Sequence, residues 1–332
     1  MQEILINVHG FTNDRLFDSP ARDNCHEPFA HLRERLHQLG YALKTADDHP
    51  VEYAARVIQF DVPTTQATPW WRPWKRRSVE RNLVAECQAQ GLADRLALVV
   101  WEPPVVQPEN WNRRRHEPFP VILTWNDEWV DGVRYRKLRE AVPYTFPAVA
   151  DVPFGERGLA VMIAGNKRSG EPGELYSARR KSIRVFEHGV PGKFELYGPG
   201  WRRALHPSYR GTVTHKWTVY PRFRFGLCYE NMGGVPGLIS EKIFDCMRAG
   251  CVPVYWGAPN IAGSVDPACF VDRTRFNDDA DLLRYLRNVP ECDYRRHLEA
   301  IRDYLSGIGF AAFLPEAFAQ TFIDALHLQD TP

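Results

Sequence analysis

Short apolar runs alternate with amphipathic stretches in two series, separated by a segment punctuated with proline and glycine. This pattern constrains the fold more than any other feature of the chain. In the first series Ile4–Val8, Arg56–Phe60, Leu96–Trp101 and Val121–Thr124 read as buried strands, being short, apolar and bounded by turn formers. Pro28–Gly40 reads as a helix with Phe29, Leu32, Leu36 and Leu39 on one face and Gly40 as its stop. The second series begins near residue 157. It contains Leu159–Ala164, a helix over Glu174–His188, strands at Phe194–Tyr197 and Phe225–Tyr229, a helix over Ser240–Arg248 and a strand at Val252–Trp256. Helices at Leu282–Leu286, Tyr294–Ser306 and Pro315–Leu326 follow. Pro143, Pro147, Pro153, Gly155 and Gly158 break the pattern between about 140 and 157, where a hinge is expected. Strands alternating with helices predict parallel α/β sheets. The expected domains are 1–150 and 151–332, with the final helix packing back on the first, and a ligand cleft at the carboxyl ends of the strands.

The length of 332 residues suits two domains at about 100–200 residues each. Lys and Arg number 42 against 41 Asp and Glu, so the basic excess of a nucleic-acid binder is missing. The seven cysteines form no CxxC pair, which argues against both a zinc ribbon and a disulfide framework. No run reaches the roughly 18 apolar residues of a membrane span. The first ten residues lack a basic region followed by a long apolar one, so they read as a strand and not as a signal peptide. A cytoplasmic location is expected.

The segment from Tyr220 to Asp272 carries the chemistry. Strand residues Phe225–Tyr229 lead through Glu230 and Asn231 into the loop Met232-Gly233-Gly234-Val235-Pro236-Gly237, and a helix then starts at Ser240. Glycines let backbone amides approach a ligand, and a helix start carries unpaired N–H donors and partial positive charge, which suits a diphosphate. Lys242 in the first turn opposes the helix dipole and calls for an anion. Glu241 beside it can accept hydrogen bonds from sugar or ribose hydroxyls. A solvated Glu-Lys pair at a plain helix start is the alternative.

Cys228-Tyr229-Glu230-Asn231, Glu241-Lys242-Ile243-Phe244 and Ala249–Asn260 together resemble the signature of the family 10 glycosyltransferases, the α-1,3/1,4-fucosyltransferases and their bacterial relatives. The resemblance extends to Asn166–Ser169, Glu174–Arg180 and Tyr197–Trp201. In the first half it takes in Arg22–Cys25, Trp101–Val106 and Leu123–Asp127, which look like a bacterial branch. It implies a GT-B architecture, two Rossmann-like domains facing across a cleft, with a GDP-sugar on the second and a glycan acceptor on the first. It further implies single displacement with inversion, the sugar being L-fucose from GDP-fucose, and no essential metal ion. Lys242 matches the lysine that contacts the diphosphate, and Glu241 the glutamate that binds donor hydroxyls. Glu230 and Asn231 are further donor-side candidates, and Lys167, Arg168 and Arg179 are candidates for the positive charge of a family arginine missing here, Arg168 being favoured because it sits in the loop after a strand. Two positions depart from the family pattern. Leu238 stands where a tyrosine is usual and Pro172 where an arginine is usual, which leaves another GDP-deoxyhexose open as donor. A chain without turnover that holds a nucleotide or glycan is the alternative outside catalysis. The lone DxD-like Asp279-Ala280-Asp281 reads as an acidic helix start and not as a metal site.

Glu102 is the expected general base. It follows the apolar strand Leu96–Trp101 at its carboxyl end, and Pro103 and Pro104 fix its exit direction. It also matches the family's first-domain glutamate. His9, Asn24, Asn126 and Asp127 are acceptor-side candidates, although Asn24 and Asp127 could equally cap helices. Trp70 to Arg77 is rich in tryptophan and basic residues, so it reads as a membrane-surface contact, a cover for the acceptor or a folded loop.

Overall fold

A computed structural model describes residues 1–18, 22–47, 49–63 and 81–329. The tryptophan-rich stretch from Trp70 to Arg77 lies outside the described residues. The chain divides into two compact units. Unit one comprises Met1–Ser19, Phe29–Leu138 and Ala319–Pro332; unit two comprises Pro20–Pro28 and Arg139–Phe318. The boundary expected at 150/151 therefore lies at 138/139. Val142 explains part of the shift: it is fully buried in the second core, and its amide donates to Phe313 O at 2.8 Å. Residues 20–28 also belong to unit two, although the first long helix begins within them at Glu27.

Unit one is built on six strands: β1 (Gln2–Asn7), β2 (Tyr41–Thr45), β3 (Ala54–Phe60), β4 (Leu96–Val100), β5 (Val121–Thr124) and β6 (Tyr135–Lys137). They pair in the order β2-β1-β3-β4-β5-β6, every pair parallel. A parallel sheet is covered on both faces, so its central strands must be apolar on both sides. Leu96, Ala97, Leu98, Val99 and Val100 meet that demand and are all buried. Helices α1 (Glu27–Gln38) and α2 (Leu83–Ala89) supply cover, with Leu32, Leu36, Leu83 and Cys87 buried. Because all strands run one way, the residues following β1, β3, β4 and β5 emerge side by side at one end of the sheet.

Unit two has five parallel strands: β7 (Gly158–Ile163), β8 (Phe194–Tyr197), β9 (Phe223–Tyr229), β10 (Val252–Trp256) and β11 (Val271–Asp272), in the order β11-β10-β9-β7-β8. Helix α3 (Tyr176–Gly189) buries Ile183 and Phe186. Helix α4 (Glu241–Arg248) follows the loop after central β9 and buries Ile243, Phe244 and Met247. The Phe244 ring lies 4.5 Å from that of Phe313, so α4 is held by packing as well as by its hydrogen bonds. Helices α5 (Asp279–Asn288), α6 (Glu291–Ser306), α7 (Ile308–Ala311) and α8 (Pro315–Ala325) close the chain. All seven cysteines are free, and five of them are buried. No helix among the described residues is long and apolar enough to cross a membrane.

Candidate active site

The first turn of α4 is the electrostatic centre of unit two. Ser240 precedes the helix in extended conformation. Its Oγ donates to Glu230 Oε2 at 2.7 Å, and its amide donates to Glu230 Oε1 at 2.9 Å. Lys242 Nζ reaches Ser240 Oγ at 2.9 Å and Glu230 Oε2 at 3.2 Å. Glu230 is almost fully buried at the end of β9, so its charge needs this partner. Gly257 leaves the room it occupies: a Cβ there would come within 2.5 Å of Glu230 Cγ and 2.4 Å of Tyr255 Oη.

Glu241 points into a second cation. Lys216 Nζ donates to Glu241 Oε1 at 2.9 Å and to Asp245 Oδ2 at 2.7 Å. Asp23 completes the cage, accepting from the Lys216 amide at 2.8 Å and approaching Nζ at 3.9 Å. Burial works against both lysines, but the surrounding carboxylates more than compensate and hold them charged. Glu140 adds a further carboxyl, in hydrogen-bond contact with Glu241. Burial first, then the Glu241 and Glu230 charges, push Glu140 well above the usual carboxyl range. Burial would raise Glu241 too, but Lys216 and Lys242 hold it well below that range. In this pair Glu140 keeps the proton and Glu241 stays ionised.

Arg179, on α3, is 4% exposed. One terminal nitrogen donates to Tyr229 O at 2.6 Å and to Asn231 Oδ1 at 3.1 Å. Its buried Nε has no hydrogen-bond partner. A buried guanidinium with an unused donor is costly. The structure therefore brings Arg179, Glu230, Asn231, Glu241 and Lys242 together. Lys167 and Arg168 stand exposed on the loop after β7, where Arg180 donates to Lys167 O at 2.7 Å.

In unit one, Glu102 follows β4 and is half-buried. Its amide and that of Trp101 both donate to Asp61 Oδ1, at 2.9 and 2.8 Å. Asn110, fully buried, donates from Nδ2 to Asp61 Oδ1 at 2.7 Å and to Glu102 O at 2.8 Å. His9 is exposed beyond β1. Asn126 is buried and accepts from the Glu128 amide at 3.0 Å, while Asp127 pairs with Lys137 at 2.7 Å, so both shape the turn after β5. Asn24 sits in unit two, apart from the other three in the chain's division, and donates to Thr145 O at 3.4 Å.

The sequence reading did not find Lys216, Asp245, Asp23, Glu140, Asp61 or Asn110. One signal was available: Glu241 and Asp245 stand four apart on one helix face, where like charges repel unless a cation lies between them. Asp279 accepts from Ser182 Oγ at 2.8 Å and Arg273 Nε at 3.0 Å, and Asp281 pairs with Arg284. Among the described residues no group of three or more His, Cys, Asp or Glu side chains is arranged to hold a metal ion.

Residues 176–305, which contain α3, β9, the glycine loop and α4, match the family described as glycosyltransferase family 10 (fucosyltransferase), C-terminal part. The segment 176–305 is family 10 fucosyltransferase-like. The α-(1,3)-fucosyltransferase FucT of Helicobacter pylori is 35% identical over 77 residues, 22% of this chain and 16% of that protein. An α-(1,4)-fucosyltransferase of Arabidopsis thaliana is 29% identical over 88 residues, 26% of this chain and 22% of that protein. The matched stretches thus span less than a quarter of these relatives. A crystal structure of an α1,3-fucosyltransferase is similar in fold, with TM-score 0.59 and 16% identity over 99% of this chain and 90% of that one. The T4 phage BGT in complex with UDP and Mn2+ gives 0.54 at 14% identity, covering 99% of this chain and all of that one. The two parallel α/β units are those of the GT-B fold that these structures share.

Proposed function

We propose that the chain is an inverting glycosyltransferase that moves L-fucose from GDP-fucose to a hydroxyl of a glycan acceptor by single displacement. The observation that carries this reading is the pair of fixed cations in the family-matching segment: Lys242 in the first turn of α4, and Arg179 with its buried, unpartnered Nε. As the bond between the anomeric carbon and the diphosphate breaks, negative charge grows on the leaving oxygens. Preorganised cations and helix-start amides stabilise that charge. They supply in fixed form what a divalent ion supplies elsewhere, so no metal is essential. Glu241, kept ionised by Lys216 and Lys242, accepts hydrogen bonds from donor hydroxyls. Glu102 removes the proton of the acceptor hydroxyl, which attacks the anomeric carbon from the face opposite the diphosphate.

A thermal-shift panel of GDP, UDP, CDP, TDP and NAD tests the donor. Selective stabilisation by GDP is expected through linkage, and its loss in Lys242→Gln. Selective stabilisation by UDP would overturn the donor assignment. For the base, Glu102→Gln is expected to abolish turnover of GDP-fucose while GDP binding stays near normal; near-normal turnover would remove Glu102 from the role.

A further inference from the structure

Asp61 is the residue after β3, and β3 lies between β1 and β4 in the sheet. Its backbone has φ 55°, the left-handed region that costs a non-glycine residue about 1–3 kcal/mol. Such strain persists only where the surroundings demand it. Here one carboxylate oxygen, Oδ1, takes three donors: the amides of Trp101 and Glu102 and the side chain of Asn110. The Asp61 amide is itself tied to Val99 O at 2.8 Å, so the carboxylate is anchored from the neighbouring strand. Asn110 closes the loop by donating to Glu102 O and accepting from the Val62 amide at 2.8 Å. Gln107 Nε2 donates to Val62 O at 2.8 Å from the far side of the same corner. The chain leaving β4 is thus folded around Asp61 before it reaches Pro103. Neither Asp61 nor Asn110 belongs to the sequence motifs, and the proposed reaction uses neither.

We propose that Asp61 is a positioning residue: held by the left-handed turn after β3, it fixes the Trp101–Glu102 corner and so sets the direction in which the Glu102 carboxylate leaves the sheet. The proposal rests on Glu102 as base for its catalytic consequence, but not for its geometry. A base must meet its proton within about 2.6–3.2 Å, so a corner free to swing forfeits the alignment that makes it effective. The three donors on Asp61 Oδ1 are dipolar. Burial raises its proton affinity, which those donors and the charge of His9 partly offset.

Asp61→Gly and Asp61→Asn separate this role from simple folding. Glycine tolerates the left-handed backbone but offers no acceptor; asparagine tolerates it and keeps one. With GDP release from GDP-fucose as the assay, Asp61→Gly is expected to lose kcat on the order of 100-fold. Its KM for GDP-fucose should stay near that of the parent protein, and circular dichroism should show that it remains folded although it loses an acceptor for three donors. Asp61→Asn is expected to recover most of the loss. In a Glu102→Gln background, Asp61→Gly should cost nothing further, because the two act as one unit. Amide exchange at Trp101 and Glu102 should quicken in Asp61→Gly and be restored in Asp61→Asn. Turnover by Asp61→Gly within about twofold of the parent, or equal losses in the folded glycine and asparagine variants, overturns the proposal. So does unchanged exchange at the corner. If Glu102→Gln itself turns over normally while the corner exchanges faster in Asp61→Gly, the base assignment has failed and the geometric role of Asp61 stands.

Discussion

At the residue scale, the site in unit two works by holding opposite charges in fixed states. Lys216 is enclosed by Glu241, Asp245 and Asp23, and Lys242 by Glu230 and Glu241. Removing Lys216, one of the buried members, leaves the Asp245 charge without compensation, a loss of about 3–5 kcal/mol. Glu140 gives this arrangement a pH signature. Its folded proton affinity lies above the unfolded value, so it binds its proton more tightly when folded. The stability it contributes is full below the unfolded carboxyl range and is lost as pH rises through the raised folded value. The groups facing it are Glu241, Lys242 and Glu230. Glu140→Gln keeps a neutral hydrogen-bond donor. Urea midpoints of this variant should fall less between pH 5 and 8 than those of the parent; parallel curves would mean that Glu140 is ionised at neutral pH. Sequence could name Glu241 and Lys242 because they are adjacent in a motif. Lys216 and Glu140 come from stretches without periodicity, and only the fold brings them to α4.

At the element scale, what was legible is what is buried on both sides. The strand at Val252–Trp256 has the bounds the apolar pattern predicts, and the helix expected over Ser240–Arg248 differs only in that Ser240 precedes it, because central elements leave no room for polar interruption. The edge strands of unit one were missed, whereas the edge strand Phe194–Tyr197 of unit two has the expected bounds. Tyr41–Thr45 alternates buried and half-buried residues, with Lys44 paired to Glu3, and Tyr135–Lys137 is only three residues long. Half-solvated edges carry too few apolar residues to stand out from a loop. The β9 strand also starts two residues before the expected Phe225, because Arg224 lays its guanidinium over the Phe154 ring and so fits inside a strand. Close packing between β10 and the end of β9 sets a further expectation. In Gly257→Ala the added methyl must displace Glu230 or Tyr255, at a cost of about 1–3 kcal/mol. The shift should also weaken GDP binding, through Lys242. Calorimetric titration of GDP checks this, and an unchanged affinity would show that Glu230 does not hold Lys242 in place.

At the scale of the whole molecule, the two units divide the proposed labour. The first contributes a carboxylate beyond a parallel sheet, the second a set of fixed cations. If those cations carry the leaving group alone, a chelator should leave the turnover of GDP-fucose unchanged. Full loss with EDTA and recovery with Mg2+ or Mn2+ would require an ion in the reaction. The two-part α/β organisation was readable because two strand series flank a proline-rich stretch. The position of the division was not, because Val142 buries itself beyond a run of residues that looks like linker.

The chain passes between the units at residues 19/20, 28/29, 138/139 and 318/319. A ribosome that has released residue 138 has therefore not yet made the stretch from 319 onward, whose Phe322 stacks on Phe60 and whose Leu326 carbonyl receives Arg56. Unit one must wait, incomplete, until the stretch from 319 onward has been made. Nor would a gene fragment cut at 138/139 encode either half intact: one product lacks its closing helix, the other the aspartate that caps Lys216.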